Sequence, residues 1–186
     1  GIMIPWITPV IGFAMMNRWL LEANMGVYNR ILKGLGIVNI GIDFLGSTSL
    51  ALPTLIVMNF WQFAPIGVLL VSSALSTIPE EHYDAMKVDG ANYLQIIKNL
   101  IMPSIGTIMG FMLFLGIVQT FNNYALIQIL TKGGPNGATT TLPLVIYQKA
   151  FSEFNVGQSM ALASMVGVVL ILLGIIYFKF LYKVED

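Results

Sequence analysis

The most charged connection in this sequence lies within residues 76–103. It holds the only histidine, His82, beside several acids and bases: Glu80, Glu81, Asp84, Lys87, Asp89 and Lys98. One histidine and no cysteine leave too few ligands for the usual transition-metal sites, and no cluster of nucleophile and base stands out. We therefore predict no catalytic residue and no metal site in this chain.

The order of residues in this stretch predicts two short helices joined at a glycine. Thr77 followed by Glu80 is typical of a capping box, so a helix should begin there and run to about Asp89. Gly90 allows a sharp break, because glycine adopts backbone conformations that other residues avoid. A second helix should then lead to Pro103. A two-helix loop of this kind, lying outside a bilayer, is suited to docking into a partner.

The segments on either side of the loop have the composition of a membrane protein. Of the 186 residues, 56% are hydrophobic and only 10% are charged, whereas charged residues make up about a quarter of a soluble domain. The mean hydropathy is +0.81. Lipid removes the need for a polar exterior, so a bilayer can accommodate this much apolar surface.

Four apolar segments predict an all-α, polytopic transmembrane bundle that occupies the whole chain. A charged side chain at the bilayer centre costs about 2.5 kcal/mol or more, so long uncharged runs are strong evidence for spans. Three runs are long enough to cross: 50–75, 102–130 and 154–178. Residues 1–16 are also uncharged but shorter, and are interpreted as a span whose beginning is missing. Residues 76–101 form the loop between the second and third segments.

The loop resembles the EAA loop of ABC importer permeases, whose pattern is E-A-A-x3-G-x9-I-x-L-P. In register with it, this sequence has Asp84, Ala85 and Met86, then Gly90, and finally Pro103. Three of these residues are identical to the pattern, the aspartate is a conservative replacement, and the methionine departs from it. The surrounding residues 78–80 and 88–91 are similar to the carbohydrate, or maltose-type, branch of the family.

That resemblance implies a fold, a mechanism and partners. The chain would be a partial type I importer transmembrane domain, whose loop forms a coupling helix against a cytoplasmic ATPase dimer. ATP and Mg²⁺ would be bound by that partner, which agrees with the absence of a G-x-x-x-x-G-K-[S/T] motif here. The coupling residues so implied are Asp84, Ala85, Met86, Asp89, Gly90 and Pro103.

The resemblance also implies an orientation in a bacterial or archaeal cell membrane. Basic residues divide almost equally between the two sides, so charge alone does not decide. With residues 76–101 and the C-terminus cytoplasmic, residues 17–49 and 131–153 lie outside. An extracytoplasmic solute-binding protein would dock there, on a surface shaped by Gly133, Gly134 and Pro135. A second permease subunit and membrane lipid would surround the spans.

Amide side chains within the apolar segments are the candidates for a substrate pathway. Asn59 lies in one segment, and Gln119 and Asn122 lie in the next, near Tyr124. Polar groups inside a span are costly and are often functional, and amides beside aromatic rings suit a sugar. The alternative, that each amide simply hydrogen-bonds one helix to another, stays open. Asn123 and Gln128 are interpreted as residues near the outer interface.

The sequence leaves two other functions open. The loop does not specify a cargo, so a permease for an amino acid or phosphate is an alternative to a sugar importer. A secondary transporter would be expected to have ionisable residues within its spans, and the apolar segments contain none. With nine basic and nine acidic residues, the chain has no electrostatic footprint for nucleic acid.

Overall fold

The computed structural model describes the backbone of residues 2–185 and the side chains of residues 2–179. Predictions that concern Gly1 and the side chains at the C-terminal end lie outside the described residues. All of the regular elements in the described part are helical. In chain order they are α1 (Ile4–Ile7), α2 (Val10–Leu20), α3 (Val27–Gly34), α4 (Ala51–Ser76), α5 (Glu80–Val88), α6 (Tyr93–Ile96), a π-helix (Ile97–Ile101), α7 (Met102–Asn122), α8 (Tyr124–Leu130), α9 (Leu142–Phe151) and α10 (Val156–Glu185).

Three helices in the described chain are long and apolar enough to cross a membrane. They are α4, the continuous helix Tyr93–Asn122, and Val156–Lys179 within α10. The first has 26 residues, which gives a length of roughly 39 Å. Together with the absence of strands among the described residues, this confirms the predicted fold class, an all-α polytopic membrane protein.

The first apolar segment, residues 1–16, is not one uninterrupted helix. Helix α1 is followed by Thr8, whose backbone is extended (φ −66°, ψ 126°), and α2 begins after Pro9. The residue before a proline is disfavoured in helical conformation, which explains the interruption. Helix α2 then continues past the end of the predicted segment, to Leu20.

Residues 102–130, which the sequence predicts as one span, form two helices. Helix α7 ends at Asn122 and α8 begins at Tyr124, because Asn123 has φ −92° and ψ 56°, outside the helical region. The hydropathy of the segment is continuous across this residue. The predicted span over residues 102–130 therefore consists of two helices that meet at Asn123.

Pro103 lies inside a continuous helix and does not end one. Helix α6 continues through the π-helix Ile97–Ile101 into α7, where Pro103 lies in the first turn. Proline has no N–H and crowds the preceding helical turn, and the wider π turn accommodates both effects. The second helix of the loop is thus the beginning of the following span.

The interior of the described chain is small. Its main cluster contains Phe13 and Ala14 of α2, Leu55 of α4, and Leu126 and Leu130 of α8. In the most apolar stretch of α10, by contrast, no residue is buried. Long helices with uncovered apolar surface are expected to face lipid or another membrane subunit.

The connection between α2 and α4 is organised around one buried amide. Asn29 on α3 donates from Nδ2 to the carbonyl oxygens of Glu22 (3.2 Å) and Ile42 (2.8 Å), and its Oδ1 accepts the N–H of Ile42 at 2.8 Å. Gly41 allows the chain to pass close by, since a Cβ there would lie 2.0 Å from the carbonyl oxygen of Ala23.

Candidate functional site

Helix α5, in the predicted coupling loop, is largely exposed. None of its residues is buried, and Val88 at its end is 87% exposed. Tyr93 and Leu94, at the start of α6, are also largely exposed. A short helix with no buried side chain gains little stability from packing within its own chain. Exposed apolar side chains grouped around it are typical of a surface that contacts a partner or a membrane.

The beginning of α5 differs from the prediction. Thr77 does not cap α5; its Oγ1 donates to the carbonyl oxygen of Ala74 at 2.7 Å and closes α4. The N-cap of α5 is Pro79, in extended conformation. The predicted capping box of Thr77 and Glu80 is therefore wrong. Glu80 does lie in the first turn, where its charge complements the helix dipole.

The end of α5 is a Schellman turn centred on Gly90. The N–H of Ala91 donates to the carbonyl oxygen of Met86 (2.9 Å), and that of Gly90 to Lys87 (3.0 Å). Gly90 has φ +76°, and nothing lies within 4 Å of the position a Cβ would take. Glycine is therefore required here by its conformation and not by lack of space, as the sequence predicts.

A capping box is present one turn later, at the start of α6. Asn92 Oδ1 accepts the N–H of Gln95 at 2.9 Å, and Gln95 Oε1 accepts the N–H of Asn92 at 2.8 Å. The two motifs occupy adjacent turns, so the chain between α5 and the following span has little freedom. The loop is therefore a rigid bend that continues as helix into α7.

The structure brings most of the predicted coupling residues together on one exposed helix. Asp84 is exposed, and its carboxylate pairs with Lys87 at 3.0 Å. Ala85 and Asp89 are also exposed, and Met86 is half-buried. A surface ion pair of this kind contributes between 0 and about 1 kcal/mol, so it leaves the carboxylate available to a partner. Pro103 lies apart from them, beyond the π-helix.

A groove between α4 and α7 contains two of the four predicted pathway residues. It encloses about 1080 Å³, and among the described residues that line it only Asn59 and Gln119 have amide side chains. The rest of its wall is largely apolar, with Phe60, Phe63 and Phe121 among the lining side chains.

Asn123, which the sequence predicts near the outer interface, does not line the groove but is hydrogen-bonded to Asn59. Its Nδ2 donates to Asn59 Oδ1 at 2.5 Å, which ties the break between α7 and α8 to α4. A signal was present in the sequence, since Asn122 and Asn123 are consecutive poor helix formers within an apolar run.

The other two predicted pathway residues lie elsewhere. Asn122 is exposed and donates from Nδ2 to the carbonyl oxygen of Val118 on its own helix, at 3.0 Å. Tyr124 stacks on Tyr147 of α9, with ring centroids 4.8 Å apart, and Tyr147 in turn contacts Phe151. Tyr124 thus belongs to an aromatic row that joins α8 to α9, outside the groove.

The turn after α8 is held together by its own threonines. Thr139 is buried, donates from Oγ1 to the carbonyl oxygen of Gly134 (2.7 Å), and lies 2.7 Å from Thr131 Oγ1. Gly133 is also buried, with its carbonyl oxygen accepting from Thr140 Oγ1 at 3.2 Å. The three residues predicted for partner docking are therefore mainly internal to the turn. Its exposed tip consists of Lys132, Asn136 and Gly137.

Residues 1–185 match the family described as the binding-protein-dependent transport system inner membrane component. The chain belongs to this family. Its predicted relationship to ABC importer permeases is thereby confirmed, and with it the integral-membrane character indicated by the three long apolar helices.

Curated relatives include several permeases of sugar transport systems. The chain is 27% identical to a probable ABC transporter permease protein of Brucella suis, over all of this chain and 64% of that protein. It is 29% identical to the trehalose/maltose transport system permease protein MalF of Thermococcus litoralis, over 84% of this chain and 51% of that protein. It is 25% identical to the diacetylchitobiose uptake system permease protein DasB of Streptomyces coelicolor, over all of this chain and 57% of that protein. The chain thus spans between half and two thirds of the length of these relatives.

Solved structures with the same fold come from a bacterial importer. A chain of the ABC transporter involved in the import of the acidic polysaccharide alginate superimposes with a TM-score of 0.86, at 19% identity, covering all of this chain and 64% of that one. A chain of the alginate ABC transporter in complex with an alginate pentasaccharide-bound periplasmic protein has a TM-score of 0.82, at 20% identity, over 95% of this chain and 61% of that one. These similarities show the fold.

Proposed function

We propose that this chain forms the membrane-spanning part of a permease subunit of an ATP-driven importer for sugars. The observation that carries the proposal is the exposed helix α5 with its rigid junction to α7, in a chain of the binding-protein-dependent transport family. Curated relatives named for trehalose, maltose and diacetylchitobiose transport support the choice of sugars as substrates.

Helix α5 is the contact for a cytoplasmic ATPase dimer, which binds the ATP and Mg²⁺. Asp84, Ala85 and Asp89 lie on its exposed surface, and Val88 supplies an uncovered apolar contact. Because Gly90 and the Asn92 capping box stiffen the junction, movement of α5 is passed to α7 without being absorbed in a flexible linker. Pro103 acts through the form of that junction and does not touch the ATPase.

The groove between α4 and α7 lines the substrate pathway. Asn59 and Gln119 offer amide donors and acceptors to sugar hydroxyls, Asn123 holds Asn59 in place, and the neighbouring phenylalanine rings offer flat apolar surface. The groove is open on one side in this chain, and a second permease subunit closes it. Asn122 and Tyr124 support the helices around the pathway.

The opposite face receives the extracytoplasmic solute-binding protein. Asn136 and Gly137 form its contact, at the exposed tip of the turn that Gly133, Gly134 and Pro135 shape from within. In this orientation residues 76–101 and the C-terminus lie in the cytoplasm, and residues 17–49 lie outside with the turn.

Single cysteines test the coupling contact directly, because the sequence has none of its own. In the full-length transporter with its partners, Val88→Cys on α5 should crosslink to the ATPase subunit through a short bifunctional maleimide. Asn136→Cys, equally exposed at the other end of the fold, should not. Labelling of intact cells with a membrane-impermeant maleimide should give the opposite result. Asn136→Cys should be labelled and Val88→Cys should be protected. Labelling of Val88→Cys from outside would overturn the orientation and the coupling role together.

Uptake in proteoliposomes tests the substrate class. A panel of labelled disaccharides, amino acids and phosphate should give ATP-dependent uptake only with sugars. Asn59→Ala should weaken sugar uptake severalfold, while Asn24→Ala, an exposed amide in the external connection, should leave it unchanged. Uptake of an amino acid or phosphate, unaffected by Asn59→Ala, would refute the sugar assignment.

A further inference from the structure

A second cavity, of about 670 Å³, lies between the ends of α2 and α8 and is separate from the groove. Arg18 and Lys132 contribute its positive charge, and neither has an acidic partner among the described residues. Arg18 Nη1 donates to the carbonyl oxygen of Ile129 at 3.2 Å. This bond fixes the position of the guanidinium and leaves its other N–H groups available to a ligand. A preorganised guanidinium beside a second cation is a good receptor for a phosphate.

Among the described residues of the cavity wall the one acid is Glu22, and its carboxylate already has hydrogen-bond donors within its own turn. Its carboxylate accepts the backbone N–H groups of Asn24 and Met25, at 2.9 and 2.5 Å. With Arg18 and Lys132 counted as positive and Glu22 as negative, the three groups carry a net charge of +1. That charge is balanced by a ligand with a single negative charge.

The cavity also contains an acceptor that needs a donor. Gln128 lines it, and the side-chain oxygen of Gln128 is buried with no hydrogen-bond partner among the described residues. A buried acceptor is costly to leave unpaired. A hydroxyl group on the ligand would satisfy it, which a bare phosphate dianion or a quaternary ammonium group would not.

The position of the cavity matches the boundary between lipid and water. Arg18 and Trp19 lie in the last turns of α2, and Lys132 follows the end of α8 directly. Trp19 is 78% exposed, and tryptophan and arginine beside an apolar helix are typical of the headgroup level. Ile11, also exposed, lies roughly 10 Å deeper along α2, where an acyl chain would run.

We propose that this cavity binds the headgroup of an anionic phospholipid of the phosphatidylglycerol type. Arg18 and Lys132 hold the phosphodiester, Gln128 accepts a glycerol hydroxyl, and one acyl chain follows Ile11 and Met15. The site is independent of the transported cargo and of the coupling loop, so its test does not depend on the proposed function.

Native mass spectrometry of the full-length transporter, released from nanodiscs of equal parts phosphatidylglycerol and phosphatidylcholine, tests the proposal. We expect retained phosphatidylglycerol, with affinity falling about fivefold for Arg18→Gln and for Lys132→Gln. Arg30→Gln on α3 removes the same charge outside the cavity and should have no effect. Arg18→Lys keeps the charge and should retain most of the binding, which separates loss of the site from loss of the fold.

Two lipid analogues make the result specific. Phosphatidylmethanol keeps the phosphodiester charge without hydroxyl groups, so wild type should prefer phosphatidylglycerol, and Gln128→Leu should abolish that preference. Phosphatidylethanolamine in place of phosphatidylglycerol should be retained weakly. Equal retention of phosphatidylethanolamine, or displacement of the lipid by soluble glycerol phosphate, would overturn the assignment of an anionic lipid site. Unchanged binding in both Arg18→Gln and Lys132→Gln would overturn it as well.

Discussion

Asn123 donates from Nδ2 to Asn59 Oδ1 at 2.5 Å, across 64 residues of sequence. The bond joins the one non-helical residue of the third apolar segment to the middle of α4. A break in an apolar helix exposes backbone groups that lipid cannot satisfy, so breaks are tolerated where protein or a cavity meets them. Here the break adjoins the groove that we propose as the substrate pathway.

A double-mutant cycle at this pair should reveal direct coupling. Asn59→Ala and Asn123→Ala each leave one half-buried amide without its partner, so each should lower stability by about 1 kcal/mol. Because both mutations remove the same bond, the double mutant should be less destabilised than the sum by about 0.5 kcal/mol or more. Thermal unfolding of the four variants in one lipid composition measures the cycle.

Asn122→Ala serves as the control for that cycle. Its amide bonds only to Val118 of its own helix, so it should combine additively with Asn59→Ala. Additive behaviour of Asn59→Ala with Asn123→Ala as well would show that the bond is absent in the membrane.

Replacement of Gly90 by alanine should uncouple transport with little loss of fold. At φ +76° the added Cβ meets no atom within 4 Å, so the cost is conformational and amounts to about 1 to 2 kcal/mol. We expect the Schellman turn to distort and sugar-stimulated ATP hydrolysis to fall severalfold.

Gly36→Ala provides a matched comparison for Gly90→Ala. Gly36 has φ +70° and likewise open space around its Cβ position, but it lies in the connection between α3 and α4. The two variants should show similar thermal stability, with ATP hydrolysis reduced only in Gly90→Ala. An equal loss of activity in both variants would refute a special role for the bend at Gly90.

Much of the architecture could be predicted because charges are excluded from the bilayer. Uncharged residues 50–75 nearly coincide with α4 (Ala51–Ser76), and the run that begins at residue 154 contains the start of α10. Gly90 could be predicted for a similar local reason, since few other residues adopt a positive φ. In both examples the information lies within a short window of sequence.

The features that the sequence did not reveal depend on a tertiary contact or on a competing local hydrogen bond. Hydropathy is continuous across Asn123, and its break is stabilised by Asn59, far away in sequence. Thr77 has the spacing of a capping residue, but its hydroxyl bonds back to Ala74. Tyr124 stays a predicted pathway residue, and its ring packs on Tyr147 of another helix, a contact that its neighbours in sequence do not reveal.

Removal of the Thr139 hydroxyl should loosen the turn after α8. Thr139→Val keeps the side-chain shape but loses the bond to Gly134 and the contact with Thr131. The buried groups left behind should cost about 1 to 3 kcal/mol. Limited proteolysis after Lys132 should become faster, and binding-protein-stimulated ATP hydrolysis should fall. Thr48→Val, at an exposed position in the connection between α3 and α4, should change both only slightly.

The turn after α2 should lose order in acid because of Glu22. The backbone N–H of Met25, with further hydrogen bonds from Asn24, holds the pKa of the Glu22 carboxyl below its usual value. A carboxyl with a lowered pKa in the folded state stabilises the fold above its unfolded pKa, and this contribution is lost as the pH falls through the folded pKa. Hydrogen exchange at Met25 should therefore accelerate, relative to intrinsic rates, only below the usual glutamate range. Glu22→Gln should give weak protection at every pH, and a pH-dependent profile in that variant would assign the effect to another group.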